Sequence, residues 1–371
     1  MRRPLSTPIV IDEARVLFVT NGHGEASIAA AIARETRARA PLITEHFGLV
    51  GAGLGGPGFP DVGPQRAMPS GGLVAMGNVR AFALDLQAGF LGLLLRQLRF
   101  LRAARARYAV VVAVGDAYAC GLARLARLPL IYVGTAKSVY VAPYGPGERR
   151  VLRGARRVFV RDEATAADLR AHGLPAEAPG NVIVDLLATD QRVDWQAPLR
   201  LALLPGSRER AYADALTLAD AVTALRSRVG TLDAVLSIAP NLDPARFAPA
   251  LARGGLRPWC GPLGALTHGT TLVIGQSGTA NEAAAAQGIP VVALELEGVP
   301  RDGWYRKRQS GLLGDAMAIV PGEPGAAAAA IAALLGDAPR LARMAAAGRE
   351  RMGSAGGAHA IAEAIVAEAA A

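Results

Sequence analysis

Short runs of β-branched and aliphatic residues alternate with Ala- and Arg-rich helical segments, and the alternation happens twice along the chain. In the first half "RVLFVT" (15–20), "HFGLVGAG" (46–53), "YAVVVAVGD" (108–116), "PLIYVGT" (129–135) and "ARRVFVRD" (155–162) are the strand-like runs. They are continuously apolar rather than alternating, the pattern of strands covered on both faces. Strands separated by helices imply parallel pairing through right-handed crossovers. Around 174–200 the pattern loosens into a Pro- and polar-rich stretch. It then restarts with "RLALLPGS", "LDAVLSIAP", "TLVIGQSG" and "IPVVALELEG", and the tail from Pro324 is almost wholly helical. The expectation is two α/β domains of similar size, over 1–185 and 198–354, joined by a linker at 186–197. A C-terminal helix over 355–371 is expected to pack back on the first.

At 371 residues, 51% hydrophobic and only 19% charged, the chain can fill two cores. Forty basic against 31 acidic residues leave a net charge of +9. That points to an anionic partner such as a nucleotide or an acidic lipid surface, although a solvated Arg-rich exterior would give the same count. The arginines are dispersed and aromatics are 5%, with no recognition motif, which argues against nucleic acid. Cys120 and Cys260 are far apart without CxxC spacing, so neither a disulfide framework nor a zinc site is expected, and a reducing, cytoplasmic compartment fits. No apolar stretch follows Met1-Arg2-Arg3, so no signal peptide is expected, and no run reaches the ~18 apolar residues of a membrane span. Ala81 to Arg107 forms a basic amphipathic helix. It suits either the outer layer of an α/β domain or the interface of an anionic membrane, on whose inner face the protein would then be peripheral.

Three strand-to-helix turns carry the chemistry. The first is Thr20-Asn21-Gly22-His23-Gly24-Glu25-Ala26-Ser27, which misses G-x-G-x-x-G/A at its last position. Glu25 stands where a pyrophosphate would sit, which disfavours a dinucleotide. His23 is suited to general-base work toward a hydroxyl, and Asp116, at the end of the valine-rich run, could orient it if the two strands are neighbours. The second turn places Gly206, Ser207 and Arg208 after "LALLP"; the third opens a helix at Ser277-Gly278-Thr279, with Asn281 and Glu282 within the next turn. Backbone N–H groups, hydroxyls and an arginine at helix starts suit a diphosphate, and Glu282 stands at the distance of a ribose. Neither turn has the GK[ST] of a P-loop. His46, His172, His268 and His359 show no metal-ligand pairing, and no metal is expected.

These motifs resemble the lipid-A-disaccharide synthase family of GT-B glycosyltransferases. Gly24-Glu25-Ala26-Ser27 is similar to that family's "GEASGD", followed here by Ile28-Ala29. "LLPGSR" is intact from Leu203 to Arg208. Ser277 to Glu282 resembles "SGTAT.E" with the glutamate one position earlier, Gly180 to Asp185 resembles "G.P..D", and Tyr305 to Met317 resembles a related branch of the family. The resemblance implies two Rossmann-like domains facing each other across a cleft. The donor, a UDP-sugar of the N-acetylglucosamine type, would lie in the C-terminal domain and a lipid or lipid-linked acceptor in the N-terminal one. It implies metal-independent, inverting transfer with no cofactor beyond the donor. Gln309, with Arg306 and Lys307, stands where such enzymes contact the donor. His23, or else Glu25, would be the base. Two alternatives stay open: a UDP-sugar 2-epimerase on the same plan, and a non-catalytic relative that binds a nucleotide sugar or lipid.

Overall fold

The computed structural model describes residues 14–51, 53–66, 85–135, 137–296 and 302–371, excepting the side chains of His23 and Asp302. The chain divides into two compact units. The first comprises the residues up to Lys137, Tyr144–Pro179 and Gly357–Ala371; the second comprises Ser138–Pro143 and Gly180–Gly356.

The first unit is built on a six-stranded parallel sheet. Its strands are β1 (Arg15–Thr20), β2 (Ile43–Gly48), β3 (Val110–Gly115), β4 (Leu130–Gly134), β5 (Arg157–Val160) and β6 (Ala176–Glu177), in the order β2-β1-β3-β4-β5-β6. Every residue of β3 is buried, as a central strand with helices on both faces requires. The chain leaves β1 toward β2 and then returns to the other side of β1 for β3. The winding therefore reverses between β1 and β3, and the carboxyl ends of these two strands form a switch point, where open α/β sheets bind ligands. Helix Gly357–Ala370 belongs to this unit: His359 meets Arg39 of helix His23–Arg39, and Glu368 pairs with Arg156 at 2.8 Å.

The second unit has six parallel strands as well. These are β7 (Leu199–Leu204), β8 (Leu232–Ser237), β9 (Arg257–Trp259), β10 (Leu272–Gly275), β11 (Val291–Glu295) and β12 (Met317–Pro321), in the order β12-β11-β10-β7-β8-β9. Here the winding reverses between β7 and β10. On one face the small side chains of helices Ala211–Val229 and Pro324–Leu335 let both sit close on the sheet, with Leu218, Val222, Ala327, Ala328 and Ile331 in one buried cluster. Glu323 and Asp337 cap the helices that follow them, accepting from Gly325 and Ala326 N–H and from Arg340 N–H.

The structure corrects the linker expected at 186–197. That stretch is part of the second unit: Val193 is buried, Trp195 donates to His268 O, and Gln196 N–H donates to Asp233. The unit begins at Gly180, because Asn181 donates to Met352 O and Asp185 accepts from Gly356 N–H. The segment "GGLVAMG" and residues 81–84 of the basic helix lie outside the described residues.

Candidate nucleotide site

Two of the three turns singled out in the sequence meet at the switch point of the second unit. β7 and β10 are adjacent and parallel, with Leu204 opposite Gly275, so the turns that follow them lie side by side. After β7, Gly206 takes φ +107°, the left-handed region that glycine occupies without strain. Ser207 and Arg208 are exposed beyond it. The Ser207 carbonyl is held by Asn241 Nδ2 at 2.8 Å, from the loop after β8. After β10, Gln276 N–H donates to Leu204 O at 2.8 Å and its side-chain amide donates to Leu294 O at 3.0 Å, tying this turn to both neighbouring strands.

The turn at 275–278 is braced from behind by two buried amides. Gln309 Nε2 donates to the carbonyls of Ser277 (3.0 Å) and Gly278 (2.9 Å). Asn281 Nδ2 donates to Gly275 O (3.1 Å) and to Gln309 Oε1 (3.2 Å). Asn281 is fully buried and Gln309 is 9% exposed. A trans peptide is planar, with its N–H opposite its C=O. Carbonyls 277 and 278 are drawn toward Gln309, so the N–H groups of Gly278 and Thr279 point away from it. Both residues are exposed. Gly278, at the N-cap of helix Thr279–Ala286, supplies no side-chain acceptor, so no N-cap side chain holds the first-turn amides. Glu282 lies in the first turn, partly exposed, with its N–H on Gly278 O. Gln309 and Asn281, read from the sequence as contacts to the ligand, have their amide N–H groups engaged with backbone carbonyls of this turn and with each other.

The corresponding position in the first unit is electrostatically different. Thr20 lies opposite Val114, so the His23 loop and Asp116 follow neighbouring strand ends. Asp116, however, is the N-cap of helix Ala117–Ala123, with Oδ1 accepting from Tyr118 and Ala119 N–H at 3.0 Å each. Glu25 stands in the first turn of helix His23–Arg39. The amides at the start of helix Ala117–Ala123 are thus already held by a carboxylate, which disfavours an anionic ligand there. In the second unit neither helix Ala211–Val229 nor helix Thr279–Ala286 has an N-cap side chain on its first amides. Asp214 and Glu282 lie in their first turns, and Asp214 is paired with Arg210 at 3.0 Å, which leaves Arg208 as the exposed cation of the turn. The His23 side chain lies outside the described part of the structure.

One buried group was not singled out. His46, on β2, has Nε2 at 2.8 Å from Thr20 Oγ1 and Nδ1 at 2.5 Å from Asp61 Oδ1. Burial pushes the Asp61 carboxyl up, but hydrogen bonds from Gly55 N–H, His46 and Gln65 outweigh it and hold it below the usual range. This chain fastens the Gly/Pro-rich segment 53–66 to the end of β1. Thr20 and His46 are both fully buried, so the hydroxyl is closed to substrate.

No family model matches the chain, and no curated protein matches it. Solved structures do. A candidate UDP-N-acetylglucosamine 2-epimerase from Listeria monocytogenes is 17% identical, with 95% of this chain and 96% of that one covered and a TM-score of 0.62. The calicheamicin glycosyltransferase is 15% identical, covering 96% and 98%, at 0.60. The chain has the GT-B fold. The UDP-GlcNAc 2-epimerase of Neisseria meningitidis, solved with UDP-GlcNAc bound, is 14% identical over 95% of this GT-B chain and 99% of its own, at 0.57. GT-B proteins similar to this one thus include both epimerases and glycosyltransferases.

Proposed function

We propose that this GT-B protein is a glycosyltransferase whose second unit holds a UDP-sugar of the N-acetylglucosamine type, by its diphosphate, at the β7/β10 switch point. One observation carries the reading: the carbonyls of Ser277 and Gly278 are held by Gln309, which turns the Gly278 and Thr279 amides outward with no N-cap side chain on them, whereas the matching helix start in the first unit is capped by Asp116. Glu282 is the candidate ribose acceptor. In transfer, His23 or Glu25 would take the proton of an acceptor hydroxyl. The oxygen would bond to the anomeric carbon with inversion, the bond from that carbon to the diphosphate would break, and its electron pair would go to UDP. Donors aimed at that developing charge supply the largest share of such catalysis, about 3–4 kcal/mol each. The resemblance to lipid-A-disaccharide synthase makes a lipid or lipid-linked sugar the proposed acceptor.

The epimerase reading is at least as well supported by the similar structures, four of which are named as UDP-GlcNAc 2-epimerases, one of them a candidate, and Glu25 and Asp116 supply carboxylates at the end of the first sheet. Incubation with UDP-GlcNAc, alone and with lipid acceptors, separates the two. A transferase releases UDP only when acceptor is present. An epimerized nucleotide sugar formed without acceptor would overturn the transferase assignment, and UDP binding without turnover would leave only a binding protein.

A further inference from the structure

Helix Phe90–Ala103 of the first unit has two apolar faces, and the fold uses one. Leu93, Gln97 and Leu101 are buried, Phe100 packs on Phe47 at 4.7 Å between ring centres, and Gln97 donates to Leu49 O at 3.0 Å. The other face carries Leu91 and Leu95, one turn apart and 60% and 55% exposed, with Leu86 exposed just before the helix. A helix outside a core normally presents polar residues there. At 3.6 residues per turn Leu91, Leu95, Arg99 and Arg102 fall on one stripe. Its first half is apolar and its second half cationic. Arg96, Arg99, Arg102, Arg105 and Arg107 are all exposed, and no carboxylate occurs between Asp85 and Asp116. Only Arg107 of the five is paired to a carboxylate among the described residues, with Glu45 at 3.7 Å.

We infer that this face docks on an anionic lipid bilayer, with Leu91 and Leu95 entering below the headgroups and the arginines meeting lipid phosphates. The combination selects that occupant. Nucleic acid would satisfy the arginines but leave two leucines protruding into water or against phosphate. A second copy of the chain would face this stripe with the same arginines. Only an anionic interface takes both halves, the apolar part by burial and the basic part by charge, each arginine contributing roughly 1 kcal/mol near such a surface. The inference does not depend on the nucleotide reading.

The test is flotation of the full chain with phosphatidylcholine vesicles, with and without phosphatidylglycerol, at low and high salt. The protein should float with anionic vesicles only, and less at high salt. Arg96→Gln/Arg99→Gln/Arg102→Gln should weaken binding about fivefold per arginine. Leu91→Ser/Leu95→Ser, which keeps every charge, should abolish flotation; both sites are exposed, so the thermal melt should not move. A Leu91→Trp variant should blue-shift and be quenched by brominated acyl chains. Wild type remaining unbound in all vesicles would overturn the inference. So would a Leu91→Ser/Leu95→Ser variant that floats like wild type, or a dimer that this variant dissociates in the absence of lipid.

Discussion

Adding a single methyl group at Gly275 tests whether the brace behind the 275–278 turn matters. A Cβ built there would lie 1.8 Å from Asn281 Oδ1 and 2.7 Å from its Cγ. Asn281 is fully buried, so its amide cannot swing into solvent and must give up its hydrogen bonds to Gly275 O and Gln309 Oε1. Two neutral hydrogen bonds are worth about 1 kcal/mol each, and forcing an extra methyl into a packed site costs about 1–3 kcal/mol. Gly275→Ala should therefore destabilise the second unit by about 2–4 kcal/mol, with its melting temperature falling about 2–4 °C per kcal/mol. UDP affinity should fall as well, tenfold for every ~1.4 kcal/mol felt at the turn. The assays are urea denaturation and isothermal titration with UDP. Gly278→Ala is the stability control, because a Cβ there meets nothing within 4 Å. If Gly275→Ala matched wild type in both stability and UDP affinity, the argument that buried amides position this turn would be refuted.

Other expectations follow from single sites. His46→Phe fills the same space but leaves the buried Thr20 hydroxyl and one Asp61 oxygen without the ring nitrogens, so the first unit should lose about 1–3 kcal/mol in urea denaturation. Stability equal to wild type would mean that the chain is not a fastening. Asp61 and Asp233 both have lowered pKa values; at Asp233 burial raises the pKa, but Arg257 and Gln196 N–H more than offset this. A depressed folded pKa contributes stability above the unfolded value of about 3.9 and loses it as pH falls through the folded one. Denaturation midpoints should therefore drop on acidification below about pH 4, and a rise over that range would contradict the assignment. Burial pushes the Cys120 thiol up to about 12, whereas Cys260 is exposed. A thiol reagent should modify one cysteine in the native protein and the second only after unfolding, as mass spectrometry can count. Arg208→Ala should weaken UDP binding with no change in the melt, since Arg208 is exposed.

The central strands were legible because burial on both faces writes itself as an unbroken apolar run; β1, β3, β4, β7 and β10 all sit inside their sheets. The strands that escaped are β6, β9 and β12, and all three are sheet edges. β6 has two residues, β9 has Pro258 in three, and β12 is partly exposed. Half-covered edges have little apolar pattern to display. The 186–197 segment reads as a linker because it interrupts the strand–helix alternation with polar residues, between the prolines at 175, 179 and 198. Its docking depends on Val193 and on hydrogen bonds from Trp195 and Gln196 that composition does not reveal. The turns after β7 and β10 were visible as motifs, but their adjacency is a property of strand order. Gln309 and Asn281 stand out in the sequence as candidate ligand contacts, yet an amide that grips a ligand and one that grips a carbonyl are the same residue in a sequence. Thr20, His46 and Asp61 are 26 and 15 positions apart and meet only through the pairing of β1 with β2 and the fold of the segment beyond.

The most direct measurement is a crystal structure of the protein with UDP. The account predicts the diphosphate at the β7/β10 switch point, within hydrogen-bond reach of the Gly278 and Thr279 N–H groups and of Arg208. A diphosphate bound at the Asp116 turn, or a second unit that stays empty at saturating UDP, would contradict it.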